Sequence, residues 1–275
     1  DSFLGQRWGF GVLHSMGGWT IVHGDIPDLI RRMKEAAKLT NCVMYTNSPE
    51  IIRHNIPYFD AVTHVGWDPE QATTDQWKRD YARRRYGKAY VAGMTPFLDE
   101  LLAGVYSSNE RAFPWYQSPQ FEVPEGVNTR PAIIAHLRKA LETGLELEVE
   151  LADNECYERD MYEVARQYLA DLSAVYLADT VKAVHEKDSA AFEAGAARVR
   201  KCLGSLEYLL GSRREYYIQE EINRAKKTGH RGGASKDPDV TNAQDIRTRY
   251  TALIDEEHVG IDHGLNDYAH RDMYE

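Results

Sequence analysis

Residues 42–55 read CVMYTNSPEIIRHN, and the way this stretch folds decides the class of the whole chain. The apolar run Cys42-Val43-Met44 gives way to small polar residues, then to Pro49 and a single carboxylate, Glu50. A short apolar run closed by turn-forming residues predicts a strand, placed over residues 41–46. Polar residues and a carboxylate just beyond such a run are what the C-terminal end of a strand carries in an α/β enzyme. On these residues alone two roles stay open for Glu50. It does chemistry at the strand end, or it sits in the first turn of a helix after Pro49 and interacts with the helix dipole.

Upstream, Trp8 to His14 is a second strand candidate, followed by a glycine-bearing loop through Gly24. Between the two runs, Pro27 to Ala37 has proline near a helix start and good helix formers behind it. Residues 61–67 read either as a third strand or as the end of a helix starting near Ile56. This strand–helix–strand alternation is the pattern of an α/β layer. From Thr73 the pattern changes. Thr73 and Gln76 fit a capping box, and the helix they open runs through Trp77, Tyr81 and Arg85 to Gly87 as its stop. Further helices are predicted over residues 90–106, 130–143, 155–186, 189–210, 213–228 and 240–256, with loops at 107–128 and 229–239. The fourth of these stripes Phe192, Ala196, Val199, Leu203, Leu206 and Leu210 along one face; the third does so with Met161, Ala165, Tyr168, Leu172, Val175 and Tyr176. The fold class is α/β followed by mainly α, mostly helical overall. Three strands cannot close a barrel, and a (β/α)₈ barrel takes about 250 residues by itself. If residues 1–88 are barrel material, most of the barrel is missing.

Composition excludes several functions. The 275 residues are 43% hydrophobic and 28% charged, as in a packed protein, and the net charge of -10 argues against a nucleic-acid backbone as partner. The basic clusters Arg83-Arg84-Arg85 and Lys226-Lys227 read as solvated helix faces. Cys42, Cys156 and Cys202 are far apart, without the CxxC spacing of a zinc ribbon. No apolar run approaches the roughly 18 residues of a membrane span, and no signal peptide is visible. GxSxG, P-loop and dinucleotide fingerprints are absent, and Gly17-Gly18 alone is a weak signal. Neither His14, His23 and Asp25 nor His258, Asp262 and His263 has the spacing of a known metal site, so neither a metal nor a cofactor is predicted.

Several short segments, in order along the chain, resemble the α-N-acetylglucosaminidases, glycoside hydrolase family 89. Phe10 to Gly18 (FGVLHSMGG), with Gly24 beyond it, is similar to that family's LHNFGG…G segment. Ser48-Pro49-Glu50 followed by Asn55 resembles PEG…N, Gly66-Trp67 matches GW, and residues 77–87 (WKRDYARRRYG) are similar to W…FA.RRYG. Downstream, residues 209–211 (LLG), Arg247 to Thr251 and Leu265 to Ala269 (LNDYA) continue the match. There are departures: Ser15 stands for asparagine, Ile51 for the glycine after Pro-Glu, and Leu253 for a tryptophan that resembles a sugar-stacking wall.

The resemblance implies the last strands of a (β/α)₈-type barrel over residues 1–88, then an all-helical C-terminal domain over 89–275 that is truncated at its end. It implies a retaining exo-glycosidase that removes terminal α-linked N-acetylglucosamine from glycans without a metal. Retention uses two carboxyl groups about 5 Å apart, one a nucleophile and one a general acid/base. Glu50 matches the nucleophile, whereas the acid/base glutamate lies upstream of everything matched here. His14, Trp67 and Tyr268 are the substrate-pocket candidates, with burial in the strand layer as the alternative for His14 and Trp67 and helix packing for Tyr268. The expected partners are a glycan ending in N-acetylglucosamine and the missing part of the barrel, and family members are lysosomal or exported. Against this stands a catalytically degenerate glycan-binding or structural helical module, which Leu253 and the missing acid/base favour.

Overall fold

Two parallel strands joined through a helix open the chain. In the computed structural model, which describes residues 2–14, 21–49, 55–108, 127 and 129–216, β1 (Trp8–His14) pairs in parallel with β3 (Cys42–Pro49). Between them lie β2 (Gly24–Asp25) and α1 (Ile26–Ala37). Asp25 caps α1 by accepting from the Asp28 amide at 2.8 Å, and Pro27 occupies the first turn, where its missing N–H costs nothing. Ile26, Leu29, Ile30, Met33 and Ala36 then form one buried face at helical spacing. Strand β3 runs to Pro49, three residues beyond the expected end. Glu50 lies outside the described residues.

Residues 61–67 are helical, not a strand. They complete α2 (Ile56–Trp67), whose buried Tyr58, Phe59, Ala61, Val62 and Val65 follow the period of a helix. Helix α3 (Thr74–Tyr86) starts where Thr73 accepts from the Gln76 amide at 3.1 Å and stops at Gly87, whose φ of 98° favours glycine. There follow α4 (Val91–Ala103), β4 (Ser107–Ser108), α5 (Pro131–Leu145), α6 (Glu155–His185) and α7 (Ser189–Leu210). The pair β4 with β2 is antiparallel and two residues long, within a stretch expected to be loop. Of the segment expected to be helical at 213–228, a 3₁₀ turn over Arg214–Tyr216 is described. The 229–239 loop, the 240–256 helix, Lys226-Lys227, Tyr268 and the second histidine–aspartate set lie outside the described residues. The chain is thus mostly helical with few strands.

The described residues fall into two compact units, divided within α6 after Val175. In the first, α1, α2, α3, α4 and α5 pack around one core that includes Met33, Val62, Trp77, Tyr81, Phe97 and Leu137. The part of α6 in this unit buries charge as well as apolar surface. Asp160, 6% exposed, accepts from the hydroxyls of Tyr81 at 3.0 Å and Tyr86 at 2.7 Å, and from Arg85 through both carboxylate oxygens at 2.7 and 2.6 Å. Arg85 is therefore not part of a solvated face; Arg83 and Arg84 are the exposed members of that triplet. Burial pushes the Asp160 carboxyl up from its ordinary value, partly offset by Arg85 and the two hydroxyls. Further along α6, Gln167 accepts from the Val22 amide at 2.8 Å, and both carboxylate oxygens of Asp171 accept from one nitrogen of Arg130, Nη2, at 2.8 and 2.7 Å.

In the second unit, α7 meets the end of α6 at Gly195, where a Cβ would run into Thr180. That close approach rotates the buried face to Gly195, Val199, Cys202 and Leu206, and Phe192, expected on the apolar stripe, is left 38% exposed. Arg198 lies over the Tyr176 ring at 5.1 Å and reaches Asp179 at 3.4 Å. Among the described residues no helix is long and apolar enough to cross a membrane.

Two stability outcomes follow. Replacing Asp160→Asn leaves Arg85 buried without its counter-charge and turns an amide N–H₂ toward three donors. It should lower the free energy of unfolding by roughly 3–5 kcal/mol in urea titration. Gly24 has φ 136° and a Cβ there would collide with the Tyr58 ring, so Gly24→Ala should cost roughly 1–3 kcal/mol in the same assay.

Candidate functional site

The parallel register sets His14, the last residue of β1, opposite Pro49, the last residue of β3. Both strands therefore end at the same level, and the residue that follows Pro49 in the chain is Glu50. C-terminal strand ends in α/β layers are where ligand-facing groups collect, because helices cover the faces of the sheet and leave its ends free.

His14 is 5% exposed and enclosed by rings. The Tyr58 ring stacks on it with centroids 4.2 Å apart, the His23 ring lies at 4.2 Å, and Phe59 meets it edge-on at 5.5 Å. Its Nε2 contacts the Nδ2 of Asn55. Asn55 is 1% exposed and adopts the left-handed conformation, φ 59° and ψ 32°, which asparagine tolerates better than most residues. It stands at the N-cap of α2, with its carbonyl accepting from Tyr58 and Phe59, but its side chain caps nothing. Instead Nδ2 donates to the His23 carbonyl at 2.9 Å, and Oδ1 accepts from the Tyr106 hydroxyl at 2.9 Å. Burial pushes the Tyr58 hydroxyl up to about 12 and the Tyr106 hydroxyl well above its ordinary value, so both stay protonated. Beneath this group, Asn55, Tyr106, Val22, Phe97, Asp160 and Glu163 are among the residues lining a small cavity with room for about one water molecule.

Of the residues expected in the pocket, His14 stands at the strand ends opposite Pro49, and it is buried there. Trp67 does not join it. It closes α2 at the end opposite Asn55, roughly 18 Å along the helix axis, and is 86% exposed. Tyr268 and Glu50 lie outside the described residues. His14 and His23 come together, but Asp25 is occupied in capping α1, and among the described residues no three His, Cys, Asp or Glu side chains converge as a metal site. Sequence reasoning missed Asn55 as an organising residue. Its signal was present as an asparagine two residues before Pro57, the signature of a helix entry, although the helix entry turned out to be only half of its work.

The family model described as the alpha-N-acetylglucosaminidase (NAGLU) C-terminal domain matches residues 77–274. No curated protein matches the chain. Solved structures of a family 89 glycoside hydrolase from Clostridium perfringens share its fold. The complex with 2-acetamido-1,2-dideoxynojirmycin has a TM-score of 0.74 and the complex with PUGNAc 0.75, each at 20% identity over 91% of this chain. A third structure from that organism, of a variant with two glutamates changed to glutamine, holds its substrate GlcNAc-alpha-1,4-galactose and has a TM-score of 0.74 at 20% identity. The chain spans 29% of the length of these solved proteins. With residues 77–274 matched by its C-terminal domain, the chain belongs to the α-N-acetylglucosaminidase family.

Proposed function

We propose that this chain is the C-terminal part of a retaining exo-glycosidase that hydrolyses terminal α-linked N-acetylglucosamine from glycans, with Glu50 as nucleophile. The observation that carries this reading is the parallel register of β1 and β3, which ends both strands together at His14 and at Pro49, the chain neighbour of Glu50. On this reading residues 1–88 are the C-terminal portion of a (β/α) barrel and residues 89–275 its all-helical companion domain. Two-stranded parallel sheets are rarely left open, because parallel strands are normally buried on both faces. Here Leu13, Val43 and Met44 are 54%, 57% and 53% exposed, as expected of strands that pack on the remainder of a barrel.

Glu50 then attacks the anomeric carbon as a carboxylate and forms a glycosyl-enzyme ester. A second carboxyl group, contributed from upstream of this chain, protonates the departing oxygen and afterwards activates the water that releases the sugar. Two carboxyl groups are what such a double displacement requires, and the substrate complex of the Clostridium perfringens enzyme was obtained with two glutamates replaced. Tyr268 enters as a sugar contact through the resemblance, whereas Trp67, at the end of α2 opposite Asn55, does not.

The test uses the whole protein on an aryl α-N-acetylglucosaminide. Glu50→Gln should lower kcat by more than about 10³-fold, and the first sugar released should be the α-anomer by NMR. Equal rates for the two forms remove Glu50 from the mechanism, and a β-anomer means inversion. Binding of the sugar without turnover by the wild type would favour a glycan-binding module. The 275-residue chain alone should turn over little or nothing, since acid catalysis typically contributes about 10² to 10⁴.

A further inference from the structure

Pro49 and Asn55, which flank residues 50–54 in the chain, are both placed against His14. Pro49 is the register partner of His14 in the β1–β3 pair, and Asn55 meets the His14 imidazole through its side-chain amide. Resting on the reading of Glu50 as nucleophile, we propose that Asn55 is a positioning residue: with His14 in its neutral form it clamps the chain on either side of the nucleophile to the end of β1.

The hydrogen bonds fix which atoms do this. The His23 carbonyl only accepts, so the Asn55 atom 2.9 Å from it is the amide nitrogen, and the opposite atom is the oxygen that accepts from Tyr106. The second N–H of that amide is left for His14 Nε2, which must then carry a lone pair. The imidazole proton therefore sits on Nδ1. Protonating Nε2 would set two donors against each other, and the clamp would open. Among the described residues the titratable side chains facing this ring are His23, from the stretch before β2, and Tyr58, from α2. The left-handed backbone of Asn55 serves the same end. It lets the residue begin α2 while its side chain turns back toward the strand ends. Gln167 on α6 holds the Val22 amide one residue before His23, so the carbonyl that orients the amide is itself fixed.

Asn55→Asp is the sharp test, because aspartate is isosteric and tolerates the same backbone, yet has no N–H to give to His14 or to the His23 carbonyl. In the whole protein kcat should fall about 10²-fold with KM held within about threefold, as expected for a nucleophile displaced by about an ångström. Asn55→Gly keeps the left-handed backbone, removes the side chain and should show the same loss in kcat. Histidine-resolved hydrogen–deuterium exchange by mass spectrometry reads the clamp independently of activity. In Asn55→Asp, His14 should take up its proton at higher pH than in the wild type, because the carboxylate now accepts from Nε2. A folded Asn55→Asp protein with wild-type kcat overturns the proposal. So does a loss of activity that only tracks the loss of folded protein, or a His14 titration that the substitution leaves unmoved. If Glu50→Gln retains full activity, the nucleophile assignment fails by itself, and the exchange measurement still decides the clamp.

Discussion

Asp160 is a carboxyl group removed from water, and burying one costs several kcal/mol unless donors replace the lost solvent. All the side chains that do so come from one helix: Tyr81, Arg85 and Tyr86 on α3. The requirement is geometric as well as electrostatic, since both oxygens accept from Arg85 while one of them also accepts from two hydroxyls. Sliding or rotating α6 along α3 by even part of a turn would strand the carboxyl. The register of α6 is thereby set, and with it the positions of everything α6 supports. The same stripe carries Gln167 to the Val22 amide and Asp171 to Arg130.

From that helix the constraint passes to the strand ends within a few bonds. Gln167 holds Val22, the His23 carbonyl holds the Asn55 amide, and Asn55 holds His14. Every residue in this chain of contacts is almost fully buried, where hydrogen bonds are strong and an unmade one is expensive. A helical segment far along the sequence thus takes part in shaping the strand ends. The helices thereby stiffen the floor beneath the strand ends.

Much of the secondary structure was legible in the residues. The Thr73 cap and Gly87 stop bounded α3, Pro27 placed α1, and the apolar period located α6 and α7 to within a residue or so, because caps and periodicity are local properties. Legibility failed where a distant partner decides. Arg85 reads like its neighbours Arg83 and Arg84, and only the arrival of Asp160 separates it from them. The buried face of α7 turns on a glycine–threonine contact with another helix, which outweighs the apolar stripe beginning at Phe192.

The candidate site divides in the same way. The sequence by itself determined that a strand leads into Pro49-Glu50, that a β–α–β unit precedes a helical domain, and which family the motifs resemble, since each rests on local residue order. Only the tertiary structure decided that His14 and Pro49 end their strands side by side, that Trp67 stands at the far end of α2, and that Asn55 joins three separate segments. Strand register and the destination of a buried side chain depend on partners tens of residues away. They are set by the need to satisfy every buried polar group at once.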